Sequence, residues 1–323
     1  MMPATGGPST TRAPGPPAAD RRPVAEDLGR RLAEELGDPD SFAAVLRSGL
    51  ARLGDPEFVA GQRRIAPGIG LLHGVRAPEI AAAVRGFRGA TNGERTSSWL
   101  FVVDRLLREP ELEARWFAFG LLDRLLVDDT ERTWQLIRRA AREAADWITV
   151  DTLARPVAIG VLNEDYRWAE LEQLVYSPSR WERRLVGSTI ATIPFVDRRR
   201  GRGPDVVTHG LGLIRELIGD AEPDVAKALA WAFRSLAVVD TPATVRSLAE
   251  EAATAAATDD GYRAWVIRDA LTKVEASDAA RIRNMLAGVR RRAGAPATSR
   301  ASAIALRLGG GLLGRPLAQP PLA

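Results

Sequence analysis

The chain has 323 residues, 46% hydrophobic and 27% charged, a balance that buries enough apolar surface for one large domain or two modest ones. It has no cysteine and only two histidines, His73 and His209. That excludes disulfides, thiolate metal sites and cysteine nucleophiles, and leaves little material for a histidine metal cluster or a Ser-His-Asp triad. The net charge of +4 is carried almost wholly by arginine, since lysine occurs only at Lys227 and Lys273. Arginine is the better fork for phosphate, although an arginine bias also follows from genomic base composition.

Residues 1–22 are rich in Pro, Gly and Thr with nothing apolar to offset them, and are expected to form a disordered arm. They lack an apolar h-region, and nowhere is there a run of about 18 uncharged apolar residues, so neither export nor membrane insertion is signalled. With the absent cysteines this points to a cytoplasmic protein.

From residue 23 onward nearly every segment has helical period. VAEDLGRRLAEELG places Val24, Leu28, Leu32 and Leu36 on one stripe, and SFAAVLRSGLARLG, PEIAAAVRGFRG, ERTSSWLFVVDRLL, ELEARWFAFGLLDRLLV and ERTWQLIRRAAREA continue in kind. Helix-start chemistry recurs at the junctions: GDPDSF, Ala-Pro-Glu at 77–79, YSPSRW, Glu-Pro-Asp at 222–224 and Thr-Pro-Ala at 241–243. These starts give helix pairs at intervals of roughly 35 to 45 residues, the spacing of helical repeats such as HEAT units. The expected fold is all-α, a HEAT-like helical repeat solenoid over 23–292, with a non-repetitive bundle as the alternative. Gly and Pro in 293–323 predict a flexible tail.

The segment ADWITVDTLARP, 145–156, sets Trp147 and Asp151 four residues apart, so both emerge on one helix face. Alone, Trp147 reads as a packing indole and Asp151 as a cap for a helix beginning at DTLARP or as a plainly solvated carboxylate. Two later segments add to them. SPSRWERRLVGSTIATIPF, 177–195, holds Trp181 and Arg184 three apart; EPDVAKALAWAFRSLAVVD, 222–240, holds Lys227, Trp231 and Arg234 at one-turn spacings.

In that order, W-x-x-x-D, then W-x-x-R before an apolar helix, then K-A-x-x-W-x-x-R, the segments resemble the AlkD-type DNA alkylation repair glycosylases, which are built from HEAT-like repeats. GVRAPE at 74–79 is similar to that family's Gly-x-x-x-Pro-Glu turn, ELEARWFAFGLL at 111–122 to its Glu-x-Arg helix, and IRDALTKV at 267–274 to its last helix. The resemblance covers about residues 55–290.

It implies hydrolysis of the N-glycosidic bond of cationic N3- or N7-alkylated purines in double-stranded DNA, by a monomer with no metal or other cofactor. Trp147 and Trp231 match the family's cleft indoles, Asp151 its catalytic carboxylate, and Arg184 an arginine facing backbone phosphate. The chemistry suits these residue types. A purine alkylated on a ring nitrogen is already a good leaving group, its departure leaves an oxocarbenium-like sugar that a carboxylate stabilises, and indole faces attract the positive charge. The resemblance also implies that the lesion stays stacked in the helix, so bulky adducts are accepted.

For DNA contact the candidates are Arg183, Arg184, Lys227, Arg234, Arg268 and the loop DRRRGRG with Arg198, Arg199, Arg200 and Arg202, which reads equally as a solvated basic loop. With two lysines in the chain a Schiff-base lyase step is disfavoured, so the enzyme is expected to be monofunctional, Lys227 being the residue able to contradict this. The family's first-repeat aromatic falls near Ile65, an aliphatic that predicts a reshaped cleft wall. Trp99, Trp116, Trp134, Trp168, Trp181 and Trp265 read as packing residues. The competing readings are a non-catalytic HEAT-like scaffold for proteins and an array that grips DNA without releasing a base.

Overall fold

The computed structural model describes residues 20–292, 298–304 and 307. Most of the arm expected over 1–22 and of the tail expected over 293–323 lies outside the described residues.

The named elements are fifteen α-helices and two short 3-10 turns. They run α1 (Arg22–Leu32), α2 (Pro39–Leu53), α3 (Pro56–Ile65), α4 (Ala77–Ala90), α5 (Thr96–Leu106), α6 (Leu112–Asp128), α7 (Thr130–Glu143) and α8 (Trp147–Asn163). Next come α9 (Arg167–Val175), α10 (Arg180–Val196), α11 (Pro204–Leu217), α12 (Pro223–Val239), α13 (Thr241–Thr258), α14 (Gly261–Ala270) and α15 (Ala276–Met285). Among the described residues the extended structure is a single parallel bridge between Leu71 and Glu111.

The helix starts follow the punctuation in the sequence. Proline stands in the first turn of α2, α4, α12 and α13, where its missing N–H is one that no helix would bond. Aspartates cap several ends: Asp38 accepts from the N–H groups of Asp40 and Ser41, Asp55 from Glu57 and Phe58, and Asp240 from Ala243. Each such cap stabilises its helix by about 1 kcal/mol.

From α4 to α14 the even-numbered helices pack each against the next as a front row, and the odd-numbered ones from α5 to α13 cover their other side. Front-row helices start at Leu112, Trp147, Arg180 and Pro223, so the intervals are 35, 33 and 43 residues. The chain is thus an all-α helical repeat solenoid, as the periodicity implies. No described helix is long and apolar enough to cross a membrane.

The core lies between the rows. Leu121, Leu122, Leu125, Val150, Leu153, Ile190, Leu229 and Phe233 are all almost fully buried, each contributing about 1.5–3 kcal/mol of burial. Near the first repeats Phe42, Phe87, Phe117 and Trp99 form a cluster with ring centroids 5.0–6.0 Å apart. The front row is tightest between α10 and α12, where a side chain on Gly187 would come within 2.9 Å of the Ala228 Cβ. That small-residue contact brings the two helices close enough for side chains to bridge them.

Where the tail is described, it is docked rather than loose. Ser299 donates to the Glu216 carbonyl at 3.1 Å, Thr298 bonds Asp260 and Arg263, and Ala301 is fully buried. At the other end the described residues of the arm are also held: Arg21 donates to the carbonyls of Leu53 and Gly54, and α1 begins at Arg22.

Candidate functional site

The N-terminus of α8 is locked by a buried network. Asp146 is its cap, accepting from the Thr149 N–H at 2.8 Å and the Thr149 hydroxyl at 2.7 Å, and that hydroxyl accepts from the Trp116 indole N–H at 3.1 Å. Trp147 is therefore the first helical residue and Asp151 lies a full turn inside. The capping alternative for Asp151 is corrected: α8 begins four residues before DTLARP, and Asp146 does the capping.

Asp151 projects toward α10, where Arg184 and Ser188 are one turn apart. Arg184 grips it as a fork, Nε to Oδ1 at 3.1 Å and Nη2 to Oδ2 at 2.7 Å, and the Ser188 hydroxyl donates to Oδ1 at 2.6 Å. The third nitrogen of the same guanidinium, Nη1, donates to the Asp224 carbonyl in the first turn of α12 at 2.6 Å. The guanidinium carbon also lies 5.8 Å from the centroid of the Trp147 ring. One buried arginine thus ties together α8, α10 and α12. Asp151 keeps 21% of its side-chain surface exposed and Arg184 only 6%. Three donors occupy three of the roughly four lone-pair sites of the carboxylate, so one site on Oδ2 is open.

Trp147, Asp151 and Arg184 are thereby brought together, and Ser188 joins them. Ser188 was missed in the sequence, where a serine in an apolar run carries no signal of its own. Trp231 is half-buried on α12, two turns beyond Asp224, and Lys227 is exposed one turn before it. In the front row α10 stands between their helix, α12, and α8.

The arginines expected at DNA divide. Arg184 is buried against Asp151. Arg183 is buried as well, donating to Asp220 at 2.8 Å and to the carbonyls of Ser177 and Pro178, so it fastens the α9–α10 corner. Arg268 donates to the carbonyls of Leu286 and Val289, both at 2.8 Å, and burial lowers its pKa from the ordinary arginine value. Arg234 is paired with Asp269 on α14. Arg199 and Arg200 are exposed in the turn after α10, with Arg200 donating to Asn163 at 3.2 Å. Lys227 and the loop arginines Arg198, Arg199, Arg200 and Arg202 are the candidates that the fold leaves exposed.

Beside Trp147 opens a cleft of about 600 Å³, walled by Phe58 and Ile65 of α3, Trp116 and Phe119 of α6, and Trp147 and Ile148 of α8. Ile65 is 60% exposed at its mouth, and the aromatic wall on this side is supplied instead by Phe58, one face of α3 carrying both at i and i+7. Trp116, read as packing, is a wall of this cleft through the bond to Thr149. The charged residues at the cleft are Arg85, Arg88, Arg155 and Asp123. Trp231 does not line it.

A family model described as DNA alkylation repair enzyme matches residues 46–274, which is 229 of the chain's 323 residues. None of the curated proteins matches the chain. This chain belongs to the DNA alkylation repair enzyme family.

Proposed function

We propose that the protein is a monofunctional DNA glycosylase that hydrolyses the N-glycosidic bond of cationic N3- or N7-alkylated purines in duplex DNA, acting as a monomer. The observation that carries this reading is the Asp151 carboxylate, part exposed beside the Trp147 indole and held in one direction by Arg184 and Ser188. A carboxylate fixed before the reaction begins costs no reorganisation when positive charge develops on the sugar, and such preorganised charge stabilisation is worth about 10²–10³ in rate. The open lone pair on Oδ2 suits a water positioned for attack on the anomeric carbon.

Trp147 and Trp231 are assigned to the cationic base and sugar, at about 0.5–2 kcal/mol per contact according to desolvation. No general acid is required, because the alkylated purine departs as a neutral base. Lysine chemistry is not invoked either: Lys227 is assigned to phosphate, together with Arg199 and Arg200. Since the reaction asks for charge stabilisation at the sugar more than for reading the base edge, the lesion is proposed to remain stacked.

The test is incubation of purified full-length protein with methylated duplex DNA in a chelator. Release of 7-methylguanine or 3-methyladenine, leaving abasic sites in unbroken strands, supports the reading. Salt-sensitive DNA binding without base release favours a binder, and no DNA binding favours a protein scaffold; either outcome defeats it.

A further inference from the structure

The cleft beside Trp147 is far larger than a methyl group requires. Its walls are apolar and aromatic, yet one carboxylate, Asp123 of α6, lies among them one turn after Phe119. Asp123 receives a single hydrogen bond among the described residues, from Arg155 Nε to Oδ2 at 2.9 Å, and its Oδ1 is buried with no donor. Folding leaves buried polar atoms unpaired rarely, because each costs about 1–3 kcal/mol. Burial accordingly pushes the Asp123 carboxyl above the usual range, with Arg155 pulling it back.

Resting on the function proposed above, we infer that this cleft receives the substituent of the alkylated base, and that Asp123 selects substituents that are aromatic and carry a neutral hydrogen-bond donor. Three observations support this. The cleft is continuous with the candidate site, since Trp147 is a wall of both. Its aromatic sides, Phe58, Trp116, Phe119 and Trp147, suit a flat ring. Oδ1 is sealed from solvent, but the Asp123 side chain keeps 21% of its surface exposed and Oδ2 has a lone pair beyond the one that Arg155 fills, so a hydroxyl or amide N–H entering the cleft finds a carboxylate acceptor there. A cationic substituent is the wrong class: Arg85, Arg88 and Arg155 outnumber the one acid, leaving the cleft net positive. Asp123 is a specificity residue in this account, distant from the bond that breaks, and a methylated base does not reach it.

The experiment compares two duplexes that differ by one hydroxyl, carrying N7-benzylguanine or N7-(4-hydroxybenzyl)guanine, with a 7-methylguanine duplex as reference. The readout is the ratio of release rates, hydroxybenzyl over benzyl, which cancels any general loss of activity or folding. Wild type is expected to favour the hydroxybenzyl base by about tenfold, the worth of one hydrogen bond to a charged acceptor. Asp123→Leu, of similar size without an acceptor, should bring the ratio to about one, and Asp123→Asn, a neutral acceptor, to about threefold.

A wild-type ratio near one, or a tenfold ratio that survives in both variants, overturns the inference. The same ratio is measured as binding, using 2′-fluoro duplexes that resist cleavage. If no base is released from any duplex, the glycosylase reading fails, while the binding ratio still decides whether Asp123 reads a donor.

Discussion

Arg184 holds Asp151 through two parallel hydrogen bonds across the α8–α10 interface while its remaining nitrogen reaches the backbone of α12. On the proposed function this makes the buried arginine a positioning residue, with consequences that separate it from an arginine at a phosphate.

Arg184→Ala removes a buried cation and leaves Asp151 without its fork. The expected cost is about 3–5 kcal/mol of fold stability. Arg184→Lys keeps the charge and loses the fork, so base release should fall at least about tenfold with DNA affinity and its salt dependence nearly constant. A drop of about one in the slope of log affinity against log salt would instead place Arg184 on phosphate.

Ser188→Ala deletes the third donor to Asp151 and changes nothing else in size or charge. Losing a hydrogen bond to a carboxylate costs about 1.5–3 kcal/mol of stability, which chemical denaturation reads, and single-turnover base release should slow by about tenfold or more as Asp151 loses its fixed direction. Equal loss of stability and no loss of rate would mean that the hydroxyl only fills space.

Arg183 and Lys227 test the division of the basic residues. Lys227→Ala should lower the salt slope of DNA binding by about one with fold stability kept. Arg183→Ala, which strands Asp220 in the interior, should lower stability by about 3–5 kcal/mol and leave the slope alone. Titrations at several salt concentrations, beside urea melts, read both.

Asp146→Ala removes the α8 cap and the acceptor that holds Thr149 against the Trp116 indole. The cap alone is worth about 1 kcal/mol. The first turn of α8 carries Trp147, so base release should fall by more than the stability loss explains, with Asp146→Asn rescuing much of it; a variant with normal release would detach the cap from the site.

How far these features were legible follows from the kind of signal each one has. The helices and their starts were legible because Pro, Asp and apolar spacing act within one turn, as at Pro39, Pro223 and Asp240. The pairing of Trp147 with Asp151 was legible for the same reason. Arg183 and Arg184 were not separable by class alone: adjacent residues point about 100° apart on a helix, so one turns to Asp220 and the other to Asp151, and both partners are more than thirty residues away in sequence. Trp116 hid in an apolar helix, where nothing local distinguishes a cleft wall from a core indole. Ser188 was overlooked because a serine in an apolar run looks neutral until the acid across the interface is known.

The most direct measurement is single-turnover release of 7-methylguanine from methylated duplex DNA by wild type and by Asp151→Asn, with binding to the same duplex recorded in parallel. The account predicts free base from wild type in the presence of chelator, a loss of at least about 10² in the variant, and affinity for DNA within a few-fold. Release by Asp151→Asn at the wild-type rate would contradict it.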